Sequence, residues 1–268
     1  MATPPPTATF ASTSSSPSAG FSIGVTRDGC AVSWASSVNR GNRFGQLGRG
    51  TSGSSHTDPT KPSEIKGLPR PIVAAFAGGY KDSGHAALVD ATGALWMCGC
   101  DRWQQLGLGS SGAGAAGYTW KDGRIWQDTF QRCRALDGLL AGSTTSIRDV
   151  ALGGDHTLVL AANRKDVFAF GRGQQGQLGL GAGAPFVSPP TRSAGLSSDT
   201  PVLAAVCAFR DCSMTLDDDG AVVSRAGKCP KNVFSDALEA CQASARKRGL
   251  LGGNGGGGGA EVAEVEAG

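Results

Sequence analysis

Short apolar runs separated by polar, glycine-bearing corners recur along this chain of 268 residues. Gly20-Phe21-Ser22-Ile23-Gly24-Val25 alternates with the period of two of a half-buried strand. Arg27-Asp28-Gly29 supplies a hairpin turn, because Asp-Gly tolerates positive φ, and Ala31-Val32-Ser33-Trp34 returns as the partner strand. The same order follows in His85-Ala86-Ala87-Leu88-Val89, a turn at Asp90 to Gly93, and Leu95-Trp96-Met97-Cys98-Gly99. A third copy runs from Val150 to Leu160, turns at Asn163 to Lys165 and returns from Asp166 to Phe170. A fourth has Val202 to Phe209, Asp211 to Leu216, a turn at Asp217 to Gly220, and Ala221 to Ser224. Many short strands punctuated by turns predict an all-β architecture.

Each hairpin in the first three copies leads to the same corner. Phe44-Gly45-Gln46-Leu47-Gly48, Trp103-Gln104-Gln105-Leu106-Gly107 and Gln175-Gly176-Gln177-Leu178-Gly179 share their ending, with Leu47, Leu106 and Leu178 spaced by 59 and 72 residues. Gly171-x-Gly173-x-x-Gly176 taken alone matches a dinucleotide-binding fingerprint. That chemistry needs a helix N-terminus behind the loop to hold a pyrophosphate, and the Gly- and Pro-rich run GLGAGAPFVSPPT cannot start one. Repetition explains the corner better: a turn returning at such intervals marks stacked supersecondary units. His85 and His156 precede their corner leucines by 21 and 22 residues and so hold equivalent places. A histidine that recurs with the repeat reads as a buried hydrogen-bonding post. Gln46, Gln105 and Gln177 read as side-chain amides that satisfy backbone groups of the turn. The fourth copy lacks the corner, running RAGKCPKNVF instead, and the pattern stops near Cys229.

Composition narrows the function classes. Hydrophobic residues at 40% suffice for a core, and a net charge of +3 is too weak to argue for nucleic acid. No apolar run approaches the roughly 20 residues of a membrane span. Eight cysteines form no CxxC pair and are expected as buried, reduced thiols without a metal. Residues 1–18, rich in Pro, Ser and Thr, read as a disordered tail, with an organelle transit segment as the alternative to a cytoplasmic or nuclear location. The long loop 110–147 alternates Trp120, Trp126 and Phe130 with Lys121 and Arg124. Aromatics with arginine make these five the candidate interface, against the alternative of a hairpin packed on its own blade. Ser235 to Arg248 reads as a C-terminal helix within 230–249, capped by Ser235, ended by Gly249 and leaning on the last blade through Val233, Ala237 and Cys241. A Gly-rich acidic tail occupies 250–268.

Gly-Gly-x-His-Thr-x-x-Leu, then Val-Phe-x-Phe-Gly, then Gly-Gln-Leu-Gly-x-Gly, carried most fully by Gly153 to Gly181, resembles the repeat of the regulator of chromosome condensation family. Ala35 stands where a glycine is usual, and Lys81 to Gly84 is an insertion. The family's fold is a β-propeller, and the resemblance implies a partial, open-arc propeller of about four blades, at 19–76, 77–149, 150–201 and a partial 202–229. Such an arc leaves blade faces uncovered, which implies either a truncated propeller or an arc that pairs with another chain, self-association included, to cover them. The resemblance implies a non-enzymatic protein-binding module, with guanine-nucleotide exchange on a small Ras-like GTPase as the alternative. The ultraviolet photoreceptor branch carries a Gly-Trp-Arg-His-Thr motif that is absent here. Neither a catalytic constellation nor a cofactor is expected.

Overall fold

The computed structural model describes residues 10–16, 19–38, 41–50, 58–80, 83–109, 119–121, 124–140, 146–181, 185–198, 203–228 and 231–251. Four antiparallel sheets follow one another along the chain. The first contains β1 (Phe10–Ser16), β2 (Phe21–Thr26), β3 (Ala31–Ala35) and β4 (Ser63–Glu64), hydrogen-bonded in that order. The second contains β5 (Ile72–Gly78), β6 (His85–Asp90) and β7 (Leu95–Cys100), completed by β9 (Arg124–Arg132), which carries β8 (Thr119–Lys121) on its outer edge. The third contains β10 (Ile147–Leu152), β11 (His156–Ala161), β12 (Val167–Arg172) and β13 (Phe186–Arg192). The fourth has three strands, β14 (Ala205–Phe209), β15 (Cys212–Leu216) and β16 (Val222–Gly227). Among the described residues two helices accompany the sheets, α1 (Arg134–Leu140) after β9 and α2 (Lys231–Lys247) after the last sheet.

Each sheet is a blade. The leading strands of successive blades lie against one another, β1 against β5, β5 against β10 and β10 against β14. The apolar faces stack between blades. Phe21, Ile23, Val25 and Leu47 of the first meet Ala75, Leu88, Cys98 and Phe130 of the second. Val89, Leu95, Met97 and Leu106 then meet Val150, Val159, Phe168 and Phe170 of the third. Leu158, Leu160, Val167 and Leu178 meet Val206 of the fourth, with Leu196 and Leu203 from the connection between them. Full burial of each leucine corner supplies about 2–3 kcal/mol, so the repeated Leu is what binds blade to blade.

Several sequence expectations are revised. Phe10–Ser16, assigned to a disordered tail by composition, pairs with β2 as the innermost strand of the first blade, from Phe10↔Thr26 to Ser16↔Phe21. Composition is silent on backbone pairing, and β1 draws on backbone bonds to a neighbour far more apolar than itself. Residues 72–76, grouped with the first repeat, belong to β5 and open the second blade. The long loop 110–147 contains β8, β9 and α1, so most of its described length is blade. Helix α2 starts at Lys231, four residues before the expected cap Ser235. It also covers the face of the fourth blade: Ala237 and Ala245, with Leu251 beyond the helix, bury against Ala205, Cys207, Met214 and Leu216, and Phe234, Leu238 and Cys241 pack alongside. Repeat stacks need a terminal cap of this kind. The cysteines divide: Cys98, Cys100, Cys133 and Cys207 are buried free thiols, while Cys212 is disulfide-bonded rather than reduced.

Candidate interaction face at the glycine corners

The three corners share one hydrogen-bond scheme. The carboxamide oxygens of Gln46, Gln105 and Gln177 accept the backbone N–H groups of Phe44, Trp103 and Gln175, each at 2.9 Å. Asn42 and Asp101 accept the amides of Leu47 and Leu106, at 3.3 and 2.9 Å. Glycine is required where the neighbour approaches: a Cβ on Gly107, at φ +65°, would lie 2.7 Å from the Phe170 ring of the next blade. Gln104 takes the same left-handed backbone, φ 61°, at the position filled by Gly45 and Gly176 in the other corners. Behind Gly176 the chain passes Leu178 and Gly179 and then reaches β13, and among the described residues no helix follows the loop.

The two histidines are posts between blades. His85 and His156 open β6 and β11, pair with Gly99 and Gly171, and are fully buried. His85 Nε2 meets Thr157 Oγ1 at 3.3 Å, and His156 Nε2 meets Ser213 Oγ at 2.8 Å, so each imidazole reaches a hydroxyl of the following blade. Thr157 Oγ1 also donates to the Gln105 carbonyl, at 2.8 Å, tying the post to the corner. Burial pushes the His85 pKa down to about 4 and that of His156 to about 3, so both are neutral near pH 7. Each imidazole is thus walled in, neutral near pH 7 and joined to a hydroxyl of the next blade.

The five candidate interface residues separate. Trp126 and Phe130 are 6% and 7% exposed. Trp126 meets Phe44 edge to face, with centroids 5.6 Å apart, and the Phe130 ring covers Gly48. Both therefore pack the second blade on the first. Trp120, Lys121 and Arg124 lie on the β8–β9 hairpin, with Lys121 paired to Arg124; their side chains are outside the described set.

The structure assembles another aromatic–arginine group that sequence reasoning passed over. Arg172, leaving β12, lies 5.1 Å over the Trp103 ring of the second blade's corner, which Arg102 also meets at 5.4 Å. The same Arg172 faces Asp155 at 3.7 Å and Asp211 at 3.9 Å, and donates to Gln174 Oε1 at 2.9 Å. Arg210, in the turn between β14 and β15, lies 4.7 Å over Tyr80 and 5.5 Å from Phe209. Its φ of 49° is unusual for a residue with a Cβ, and its carbonyl accepts the Gly154 amide at 2.9 Å. Burial raises the Asp155 pKa, opposed by a Ser83 hydrogen bond and the Arg172 charge. All these groups sit at the corner end of blades two to four. The β8–β9 hairpin stands beside them, since the Asp101 amide donates to the Ile125 carbonyl at 2.8 Å. Among the described residues no group of three or more His, Cys, Asp or Glu side chains could hold a metal ion, and no helix is long and apolar enough to cross a membrane.

Four antiparallel blades in an open arc, joined by recurrent corners and closed at one end by a helix, define a β-propeller repeat protein. The model of the regulator of chromosome condensation (RCC1) repeat matches residues 147–177 and again residues 166–210. Protein RCC2 homolog of Danio rerio is 34% identical over 148 residues, covering 52% of this chain and 27% of that protein. Among solved structures, Prp20p from Saccharomyces cerevisiae superposes with a TM-score of 0.56 at 20% identity, over 86% of this chain and 44% of that one. Human WBSCR16 gives 0.56 at 19%, over 79% and 47%. Residues 147–210 therefore carry the regulator of chromosome condensation repeat, and the chain as a whole is similar to proteins built from it. It spans about a quarter of the length of the curated relatives it matches.

Proposed function

We propose that this chain is a non-enzymatic protein-binding module whose docking surface is the corner face bearing Tyr80, Arg102, Trp103, Arg172 and Arg210. The observation that carries the reading is the stacking of Arg102 and Arg172 on Trp103, with Arg172 drawn from the adjacent blade. Trp, Tyr and Arg are the residue types that concentrate binding energy at interfaces, and prior stacking reduces the entropy lost on docking. The β8–β9 hairpin, with Trp120, Lys121 and Arg124, extends this surface at its outer border.

A second reading is guanine-nucleotide exchange on a small Ras-like GTPase. It draws on the fold likeness to Prp20p, whose structure was described together with its binding properties to Gsp1p and histones. One experiment addresses both. The full chain and its Trp103→Ala/Arg172→Ala variant are used to capture partners, and any GTPase recovered is assayed for GDP release. Loss of at least about 30-fold in affinity in the variant supports the corner face, and unchanged capture rejects it. Accelerated GDP release favours exchange; capture without release favours plain binding.

A further inference from the structure

Helix α2 covers the face of the last blade, and the contact contains a cysteine pair. Cys207, on the innermost strand β14, is 3% exposed, and Cys241, near the middle of α2, is half-buried and packs on the same apolar cluster. Both are free thiols, and their side chains are hydrogen-bonded to each other. Arg248, the residue just past the C-terminal end of α2, is ion-paired with Asp149 and lies close enough to act on both sulfurs. The two thiols are unequal. The hydrogen bond from Cys207 lowers the Cys241 pKa from the usual thiol range, against burial and with help from Arg248. Cys207 is pushed well above that range by the same hydrogen bond and by burial. Cys241 is therefore the more readily ionised and the more solvent-accessible of the two sulfurs, and Cys207 is the buried one.

We propose that Cys241 and Cys207 are a peroxide-reactive pair, and that their disulfide fastens the capping helix α2 to the fourth blade. The Cys241 thiolate attacks one oxygen of a hydroperoxide. An S–O bond forms, the O–O bond breaks, and the leaving oxygen departs as alcohol, or as water from hydrogen peroxide, after taking a proton. Cys207 then attacks the sulfenic sulfur, forming the S–S bond and releasing water with its own proton. Two thiols lose two electrons and the peroxide gains them, so no other oxidant is needed. Oxidised, the cap is held covalently over Ala205, Met214 and Leu216; reduced, it is held by packing, the Arg248–Asp149 pair and the Gln242 hydrogen bond to the Gly220 carbonyl.

Cys30 provides an internal comparison, because it is half-buried, donates to Asp28 at 3.0 Å and has a raised pKa. The full chain is reduced, desalted and treated with a small excess of hydrogen peroxide, and each cysteine is followed by peptide mass spectrometry without reductant. The expected results are a Cys207–Cys241 linked peptide and loss of the free Cys241 thiol at least about tenfold faster than that of Cys30. The Cys207→Ser variant should accumulate a sulfenic acid on Cys241 that a cyclic 1,3-dione traps. Amide exchange over α2 should slow by about tenfold or more in the oxidised chain. Equal reactivity of Cys241 and Cys30, which is read on the unsubstituted chain, overturns the proposal. So does a linkage joining either cysteine elsewhere, or α2 exchange that is unchanged when the pair is linked.

Discussion

The buried histidine posts make stability depend on pH in a defined window. An unfolded imidazole has a pKa near 6.5, whereas burial lowers His85 to about 4 and His156 to about 3. The unfolded chain therefore binds more protons as pH falls below 6.5, and stability is complete above that value and lost on acidification towards 4. Between pH 8 and pH 5 each histidine withdraws about 2 kcal/mol. Asp149 acts in the opposite sense: burial raises its pKa to about 6 against the pull of Arg248 and two backbone amides, so the folded chain takes up its proton first. That returns about 1 kcal/mol at pH 5. The net loss is about 3 kcal/mol, measurable by urea unfolding at pH 8 and pH 5. His156→Gln deletes one titrating group, so whatever it costs at pH 8, its own loss to pH 5 should shrink to about 1 kcal/mol. A wild-type chain with equal stability at the two pH values, or a His156→Gln chain with an undiminished slope, refutes the buried neutral posts.

Other consequences are local. Gln104→Gly relieves a left-handed backbone and should raise stability by up to about 1 kcal/mol by urea unfolding. Gly107→Ala, which meets the Phe170 ring at 2.7 Å and keeps a positive φ, should lower it by more than about 2 kcal/mol. Arg248→Met leaves the buried Asp149 without its cation and should cost about 2–3 kcal/mol at pH 8, less at pH 5 where Asp149 is protonated in the fold. Arg210→Gly separates docking from folding: relief of the φ of 49° keeps or raises the melting temperature, while partner affinity falls.

The repeat was legible because its residues answer to local geometry. Gln46, Gln105 and Gln177 accept an amide two residues back, so spacing alone exposes them. His85 and His156 recur in phase because each opens the second strand of its blade. What escaped depends on partners distant in sequence. The Ser/Thr-rich β1 has no apolar alternation and is a strand only because β2 supplies backbone partners. Trp126 and Phe130 look like interface anchors in a loop, and only the pairing of β9 with β7 shows that they face the first blade. Arg102, Arg172 and Arg210 each resemble solvated turn residues, and they become a group only when blades two, three and four are brought side by side.

Site-specific photocrosslinking tests the docking face most directly. A photoreactive residue replaces Trp103 at the corner end, or Leu139, which is 47% exposed on α1 at the opposite end of the blades. The account predicts that a captured partner is linked from position 103 and not from position 139. Linkage from 139 alone, with position 103 silent in a folded chain, would contradict it.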